Sequence, residues 1–224
     1  LLTLYGDKTL NDACTACIQL ALSVPLSDIM SFTKLTVQYF IFLEVLCGCN
    51  MGSVVLLESK DFVTLVGTVQ HGMANTLDMR ISEMCAVIID HIGTLVFKCK
   101  HRVRPDASPY VIAVQAHLTA MPTMLMDILR CLLDQLLLDD YAECKVMAQP
   151  ILSLILANGE GALSEVSNHV ISKRPAEIRP KMAEGFSKLM HGIHANLMPD
   201  NRAAFADNVE GFRAEVRTWT GGST

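Results

Sequence analysis

The stretch MRISEMCAVIIDHIGTLVF, residues 79–97, decides the fold class of this chain. Its apolar side chains recur at the spacing of an α-helix, and Asp90 and His91 interrupt them. We therefore expect a helix that is buried among other protein helices. The same spacing recurs almost throughout the chain, whereas alternating strand patterns bounded by hairpin turns are missing. The sequence predicts an all-α protein.

Helix boundaries are predicted from proline, glycine and capping residues. Gly48 is expected to end the second helix, and Pro150 is expected to kink the helix in which it lies. The expected helices are 7–23 (with Asp7 as N-cap), 33–47, 54–58, 62–73, 79–97, 109–118, 122–138, 143–157, 162–171, 175–197 and 199–218.

A succession of apolar helix pairs, each too small to be stable alone, is typical of HEAT-type repeats. A helical bundle has the same periodicity, so periodicity alone leaves both architectures open. We expect the helical region to cover residues 1–218, with a basic, proline-containing connector at 98–109 and a disordered tail at 219–224. The chain opens on Leu1 without a targeting signal, and we expect it to be a fragment of a longer protein.

Composition argues against two classes of protein. With 224 residues, 51% of them hydrophobic and 18% charged, the chain is long enough to bury a large core. No window reaches the roughly 18 uninterrupted apolar residues of a membrane span, because Gln38 and Glu44 interrupt the best candidate. The net charge of −5 argues against nucleic acid, since phosphate binding needs a concentrated basic surface. We expect neither membrane insertion nor nucleic-acid binding.

Four of the eight cysteines have a spacing that suggests chemistry. Cys14 and Cys17 have the C-x-x-C spacing of redox and zinc sites, and Cys47 and Cys49 follow further along the chain. A metal or redox site is therefore one alternative. The first pair lies inside an apolar helix, however, and the second pair is separated by one residue. We expect reduced thiols that bind no metal.

Histidines give no stronger signal of a site. His191 and His194 are one helical turn apart but lack a third ligand at a recognisable spacing, so we expect surface histidines. Asp90 beside His91 is expected to be a hydrogen-bonded pair in or near the core. Nucleophile-elbow, P-loop, dinucleotide and zinc-protease motifs are absent from the sequence. We expect no enzyme activity, no catalytic residue and no cofactor.

Two clusters of charged residues are candidate partner-binding sites. An acidic cluster at a helix end can face a basic partner, and a basic loop can contact an acidic protein surface. Ordinary solvated faces are the alternative for both. The basic set is Lys98, Lys100, Arg102 and Arg104, and the acidic set is Asp134, Asp139, Asp140 and Glu143.

Short segments distributed over nearly the whole chain resemble, in order, those of one protein family. The segments are Leu4-Tyr5-Gly6-Asp7, Ser23-Val24-Pro25, Leu43-Glu44-Val45-Leu46, Asp90-His91-Ile92, Gln149-Pro150-Ile151-Leu152 and, most specific, 189–197 with Asn201-Arg202, Phe205, Asn208 and Phe212-Arg213. The family is the exportin 7 group of nuclear transport receptors, in the importin-β superfamily.

The resemblance implies the C-terminal HEAT repeats of such a receptor, arranged as a right-handed superhelix of antiparallel helix pairs. It implies an exportin that shuttles between nucleus and cytoplasm through the nuclear pore. The implied partners are protein cargo, phenylalanine-rich nucleoporins and RanGTP, the last bound mainly by N-terminal repeats outside this chain. A HEAT-repeat scaffold unconnected with Ran is the alternative.

Overall fold

The structure is a computed structural model that describes residues 9–74, 78–101, 108–138 and 143–220. Within these ranges it contains eleven α-helices and no strand, so the all-α prediction is confirmed. The helices are α1 Thr9–Ser23, α2 Leu26–Met30, α3 Thr33–Val55, α4 Ser59–Met73, α5 Met79–Lys100, α6 Pro109–Ala120, α7 Met124–Leu138, α8 Cys144–Asn158, α9 Ala162–Ser172, α10 Arg179–Lys188 and α11 Pro199–Thr220.

α3 is longer than predicted, because it continues through Gly48 to Val55. The predicted division at Gly48 is therefore two residues too early, because the helical backbone breaks at Asn50, and the predicted second helix at 54–58 is misplaced, because the second segment ends at Val55. Glycine ends a helix when it adopts a left-handed conformation, and Gly48 is not among the glycines with positive φ. The helix is bent at Asn50 instead, where φ is −132° and ψ is 37°. Val54 is buried beyond this bend, and its packing favours continuation of the helix.

The helix predicted over residues 175–197 was also wrong at both ends. α10 spans only Arg179–Lys188, and residues 189–198 form turns and irregular backbone. Gly192 has a φ of 74° in this segment, a conformation that glycine adopts at low cost. α8, by contrast, continues through the buried Pro150 to Asn158 as predicted, and the kink expected there stays a prediction.

α3 is also the helix whose length and composition allow it to cross a membrane. In the described residues it is long and apolar enough, by length and composition alone, to cross a bilayer, and α6 with α7 would pass the same test only as one bent span. Core helices of soluble proteins pass this test too. α3 completely buries Phe40 and Leu43, and about a third of its apolar window is buried within the structure.

The first of two compact units comprises the described residues up to 92 and residues 108–122. Its core contains Phe40 of α3, Leu65 of α4 and Ile88 of α5, all inaccessible to solvent. α3 and α5 approach α4 so closely that a methyl group on Gly72 would overlap the Phe40 ring and the Cys85 sulfur. Backbone contact at this glycine therefore sets the spacing of the three helices.

A buried histidine connects α6 to the junction of α3 and α4. His117 is 3% exposed, and its Nε2 lies 2.8 Å from the carbonyl oxygen of Val55. Because that oxygen only accepts, Nε2 carries the proton, and Nδ1 accepts from the Ser59 hydroxyl at 3.2 Å. The ring stacks on Phe62 with centroids 4.1 Å apart. His117 thus satisfies a carbonyl in the last turn of α3, which has no partner within the helix.

The second unit comprises residues 93–101 and the described residues from 123 onward. α7 packs against α8, α9 lies beside α7, and α11 lies beside α8. α10 contacts both α9 and α11. Ile151, Leu152 and Leu154 of α8 are fully buried at the centre. This two-layer packing is consistent with a helical-repeat solenoid, whose superhelix stays a prediction.

Candidate interaction surfaces

The predicted basic set is only partly described by the structure. Lys98 and Lys100 lie in the last turn of α5, and Arg102 and Arg104 fall outside the described residues. The Lys100 ammonium group donates to the carbonyl oxygen of Ala157 at 2.6 Å. Lys100 therefore stabilises the C-terminal end of α8, where carbonyl groups lack partners within the helix.

The predicted acidic set is divided in the same way. Asp134 on α7 forms an ion pair with Lys173 at 2.9 Å, just beyond the end of α9. Glu143 is exposed immediately before α8, and Asp139 and Asp140 lie outside the described residues. Asp134 thus has a partner within the chain, and the contact supports the packing of α7 with α9 by a modest amount.

A different surface stands out in the first unit, a groove between α1 and α3. Cys14 near the start of α1 lies beside Asn50 near the end of α3, with Asn50 Nδ2 donating to Cys14 Sγ at 3.5 Å. Because the start of α1 lies beside the end of α3, the two helices run antiparallel, with α2 between them along the chain. A cavity of about 250 Å³ lies in the groove. Its lining, almost entirely apolar, is Ala13, Cys14, Cys17, Phe42, Val45, Leu46, Cys49 and Asn50.

Exposed apolar side chains accompany this groove on both helices. Val45 in its wall is 57% exposed, and Leu20 on α1 is 71% exposed. Ile41, one turn before Val45 on α3, is exposed as well. Exposed apolar side chains beside an apolar groove are typical of interaction sites. The groove is therefore the strongest candidate for a binding surface in the described part of the first unit.

The groove also answers the question raised by the cysteine spacing. Cys14, Cys17 and Cys49 line it, but Cys47 is buried, and burial raises the pKa of its thiol to about 12. Cys14, Cys17 and Cys49 therefore share one cavity, and Cys47 is not part of its lining. Across the residues that the structure describes, no group of three His, Cys, Asp or Glu side chains is placed to hold a metal ion.

A second concave surface lies in the second unit, between α8 and α11. Its volume is about 530 Å³, and Lys145 and Arg202 lie on its wall with Asp207. Arg202 is already engaged, because its guanidinium donates to the Gln149 side-chain oxygen at 3.0 Å and to the Thr94 hydroxyl at 2.9 Å. These bonds hold Arg202 in place, so we assign it a structural role.

Comparison with known proteins identifies relatives along almost the entire chain. Exportin-7-B of Xenopus laevis is 32% identical over 221 residues, covering 95% of this chain. Ran-binding protein 17 of Homo sapiens is 29% identical over 221 residues, with the same 95% coverage. Exportin-7 of Dictyostelium discoideum is 24% identical over 214 residues, covering 96% of this chain. The chain is similar over almost its whole length to proteins of the exportin 7 family.

The match covers a small part of each relative. The chain spans about a fifth of the length of these exportin 7 relatives: 20% of the Xenopus and human proteins and 21% of the Dictyostelium protein. No family model and no solved structure matches the chain.

The C-terminal segment that most resembles the exportin 7 family has a structural explanation. Residues 189–198 are irregular, and side chains from α11 bind their backbone. Asn201, 7% exposed, accepts from the His194 N–H and donates to the carbonyl oxygens of His194 and Asn196. Asn208 donates to the carbonyl oxygens of Leu189 and His191, each at 3.0 Å. We call residues 189–198, with Asn201 and Asn208, the C-terminal clasp.

The clasp shows what sequence reasoning missed. Asn201 and Asn208 belong to the segment that resembles the exportin 7 family, but a helix over 175–197 gives their side chains no role. Their signal is the position of two asparagines seven residues apart on one helix, after a glycine that can adopt positive φ. His191 and His194 are exposed on the clasp, as predicted.

Proposed function

We propose that this chain is part of a nuclear transport receptor of the exportin type. The receptor binds protein cargo in a RanGTP-dependent manner and carries it through the nuclear pore, shuttling between nucleus and cytoplasm. The supporting observation is similarity over 95% of the chain to proteins named Exportin-7 and Ran-binding protein 17. We assign the chain to the C-terminal repeats of the receptor and give it no enzymatic role.

Stacked helix pairs supply a physical mechanism for such a receptor. Each pair contacts mainly its neighbours, so small changes in packing accumulate along the array into a change of curvature. A GTPase bound in one region then alters cargo affinity in another, provided that it binds the two curvatures with different affinity. In this proposal the apolar core of α7, α8 and α11 transmits the change, and exposed surfaces contact partners.

The groove between α1 and α3 is the surface that we propose for phenylalanine-rich nucleoporin segments. Its apolar wall, with Val45 and the neighbouring Leu20, suits a benzyl side chain. Burying about 150 Å² at about 25 cal/mol per Å² gives about 4 kcal/mol before the cost of association is subtracted, so a single contact of this kind is weak. Weak contacts of this order, repeated along a polymer, hold a receptor in the pore without stopping its passage.

Binding of full-length protein to Ran tests the receptor proposal. We expect strong preference for Ran loaded with GTP over Ran loaded with GDP, measured by titration calorimetry. Equal binding to both forms, or binding to neither, would contradict the proposal. That result would favour the alternative of a HEAT-repeat scaffold unconnected with Ran.

A matched pair of variants tests the groove separately. Val45→Glu places a charge in the wall of the groove, whereas Ile112→Glu places one on α6 at an equal exposure of 57%. We expect Val45→Glu to abolish saturable binding of a phenylalanine–glycine repeat peptide at this site, and Ile112→Glu to leave it unchanged. Equal effects of the two variants would contradict nucleoporin binding in the groove. The proposal that the receptor binds Ran would not be affected.

A further inference from the structure

The cavity between α1 and α3 carries a group of thiols that the transport proposal does not use. Its lining is apolar, and three thiols, those of Cys14, Cys17 and Cys49, lie on its wall. Cys14 lies on α1 one helical turn from Cys17, while Cys49 comes from α3, so the antiparallel packing of the helices brings the thiols to one cavity. Cys17 and Cys49 are exposed to solvent.

Exposure distinguishes these two thiols from most others in the described residues. The thiolate is the reacting form of cysteine. Burial raises the pKa of the thiol of Cys47, of Cys85 and of Cys131, which disfavours their thiolates. The half-buried Cys144 accepts a hydrogen bond from the Arg213 guanidinium at 3.0 Å. Cys17 and Cys49 are thus thiols that a solute reaches from water and that also adjoin an apolar cavity.

We propose that the cavity is a covalent modification site for small apolar electrophiles, specifically α,β-unsaturated aldehydes with an alkyl tail. The tail occupies the cavity between Phe42, Val45 and Leu46, and the aldehyde end remains near the solvent-exposed thiols. At about 250 Å³ the cavity is just below the range of about 300–1,000 Å³ found for small-molecule sites, so the ligand is a short chain.

The reaction is a conjugate addition. The Cys17 or Cys49 thiolate attacks the β-carbon of the aldehyde, forming a carbon–sulfur bond as the π bond of the alkene breaks. The electron pair moves onto the α-carbon and carbonyl oxygen as an enolate, and water protonates the α-carbon. The thiol proton has already passed to solvent, so the product is a saturated thioether aldehyde, with no oxidant and no leaving group. Cys14 has its sulfur held by Asn50 and is the secondary target.

Two aldehydes of different length test the site on the full-length protein. 2-Nonenal has an alkyl tail and 2-propenal has none, and each adduct is fixed with borohydride and quantified at every cysteine by peptide mapping. The ratio of the nonenal rate to the propenal rate cancels differences in exposure. We expect this ratio to be about tenfold higher at Cys17 and Cys49 than at Cys144, the effect of burying about two methylene groups.

Val45→Glu provides the matched control, because it alters the cavity wall and leaves all three thiols in place. It should lower the nonenal rate at Cys17 and Cys49 to the level expected from the propenal rate. A ratio at Cys144 equal to that at Cys17 and Cys49 would overturn the proposal, and so would a ratio that Val45→Glu leaves unchanged. The measurement does not depend on Ran or nucleoporins, so its outcome is separate from that of the proposed function.

Discussion

Asn201 makes two hydrogen bonds to the backbone of a single residue, His194. Its Oδ1 accepts from the His194 N–H at 2.8 Å, and its Nδ2 donates to the His194 carbonyl oxygen at 2.8 Å. A side-chain amide thereby satisfies both polar backbone groups of a residue that lies in no helix. The path of the chain before α11 is thus fixed by a residue inside α11.

Replacing Asn201 with alanine is expected to destabilise the second unit. The change removes three hydrogen bonds from a buried position and leaves the His194 N–H without its partner, although the His194 carbonyl oxygen still accepts from the Asn196 N–H, and we expect a cost of about 1 to 3 kcal/mol. Urea unfolding monitored by circular dichroism gives the free energy. Hydrogen exchange should show faster exchange at the His194 amide. Asp207→Ala, at an exposed position on the same helix, is the control and should be neutral. Unchanged exchange at His194 would count against the clasp.

Two glycines of α4 are expected to respond in opposite directions to alanine. Gly72→Ala forces a methyl group against Phe40 and Cys85 and should cost about 1 to 3 kcal/mol. Gly67→Ala has nothing within 4 Å of the new methyl group and should stabilise by about 0.5 to 1 kcal/mol, because alanine favours the helix. The midpoints of thermal unfolding give the comparison. Shifts of the same sign would refute the close packing at Gly72.

His117→Phe is expected to separate the polar role of this ring from its packing. Phenylalanine keeps the stacking on Phe62 but leaves the Val55 carbonyl oxygen unpaired, which should cost about 1 to 3 kcal/mol. His117→Ala also loses the ring and should cost more. Ser59→Ala removes only the weaker partner, at 3.2 Å, and should cost least. Denaturant unfolding of the three variants should reproduce this order, and an equal loss in all three would contradict it.

The stability supplied by Asp78 is expected to depend on pH. Its carboxylate accepts from the Arg80 backbone N–H at 3.0 Å just before α5 and pairs with the Arg80 guanidinium. The side-chain hydrogen bonds from Arg80 lower the pKa of Asp78. The contribution is therefore complete above the ordinary pKa of about 3.9 and is lost as the pH falls through the lower value in the folded protein.

Asp78→Ala measures this directly. At pH 7 it should reduce the free energy of unfolding by about 1 kcal/mol, as loss of an N-cap does. The difference between the two proteins should shrink as the pH falls below about 4. Asp78→Asn keeps a capping oxygen that does not titrate, and should stay close to the original protein at neutral pH. A difference for Asp78→Ala that is the same at pH 7 and pH 3 would exclude the carboxylate as its source.

The local sequence was sufficient to predict the positions of most helices, because their apolar residues recur regularly at helical spacing. α5, α7 and α9 begin and end within about three residues of the predicted positions, which is the usual uncertainty of helix ends. The errors at Gly48 and at 175–197 have one cause. Glycine permits a helix to end but does not require it. Contacts with residues distant in the sequence determine whether the helix ends there. At Gly48 burial of Val54 favours continuation, whereas before α11 Asn201 and Asn208 hold the backbone in another conformation.

The candidate groove could not be predicted from sequence patterns. Cys17 and Val45 belong to different helices, and nothing in either helix alone indicates that they line one cavity. The charged residues are easy to find in the sequence, but their contacts are not. Lys100 and Asp134 are predicted to bind partners because charge is visible in sequence; each also has a contact within the chain, and their binding to partners stays a prediction. Sequence reveals that a group is charged, but not whether the fold already satisfies it.

The clasp has a consequence for the order of events during synthesis. Chains emerge from the ribosome N-terminus first, and folding follows as segments become available. Residues 189–198 make a few backbone hydrogen bonds locally, but five of their bonds come from Asn201 and Asn208, which emerge later. Until α11 has been synthesised, the segment lacks these five bonds. A nascent chain halted before Asn201 should expose it to proteases and chaperones, whereas one extended through α11 should protect it.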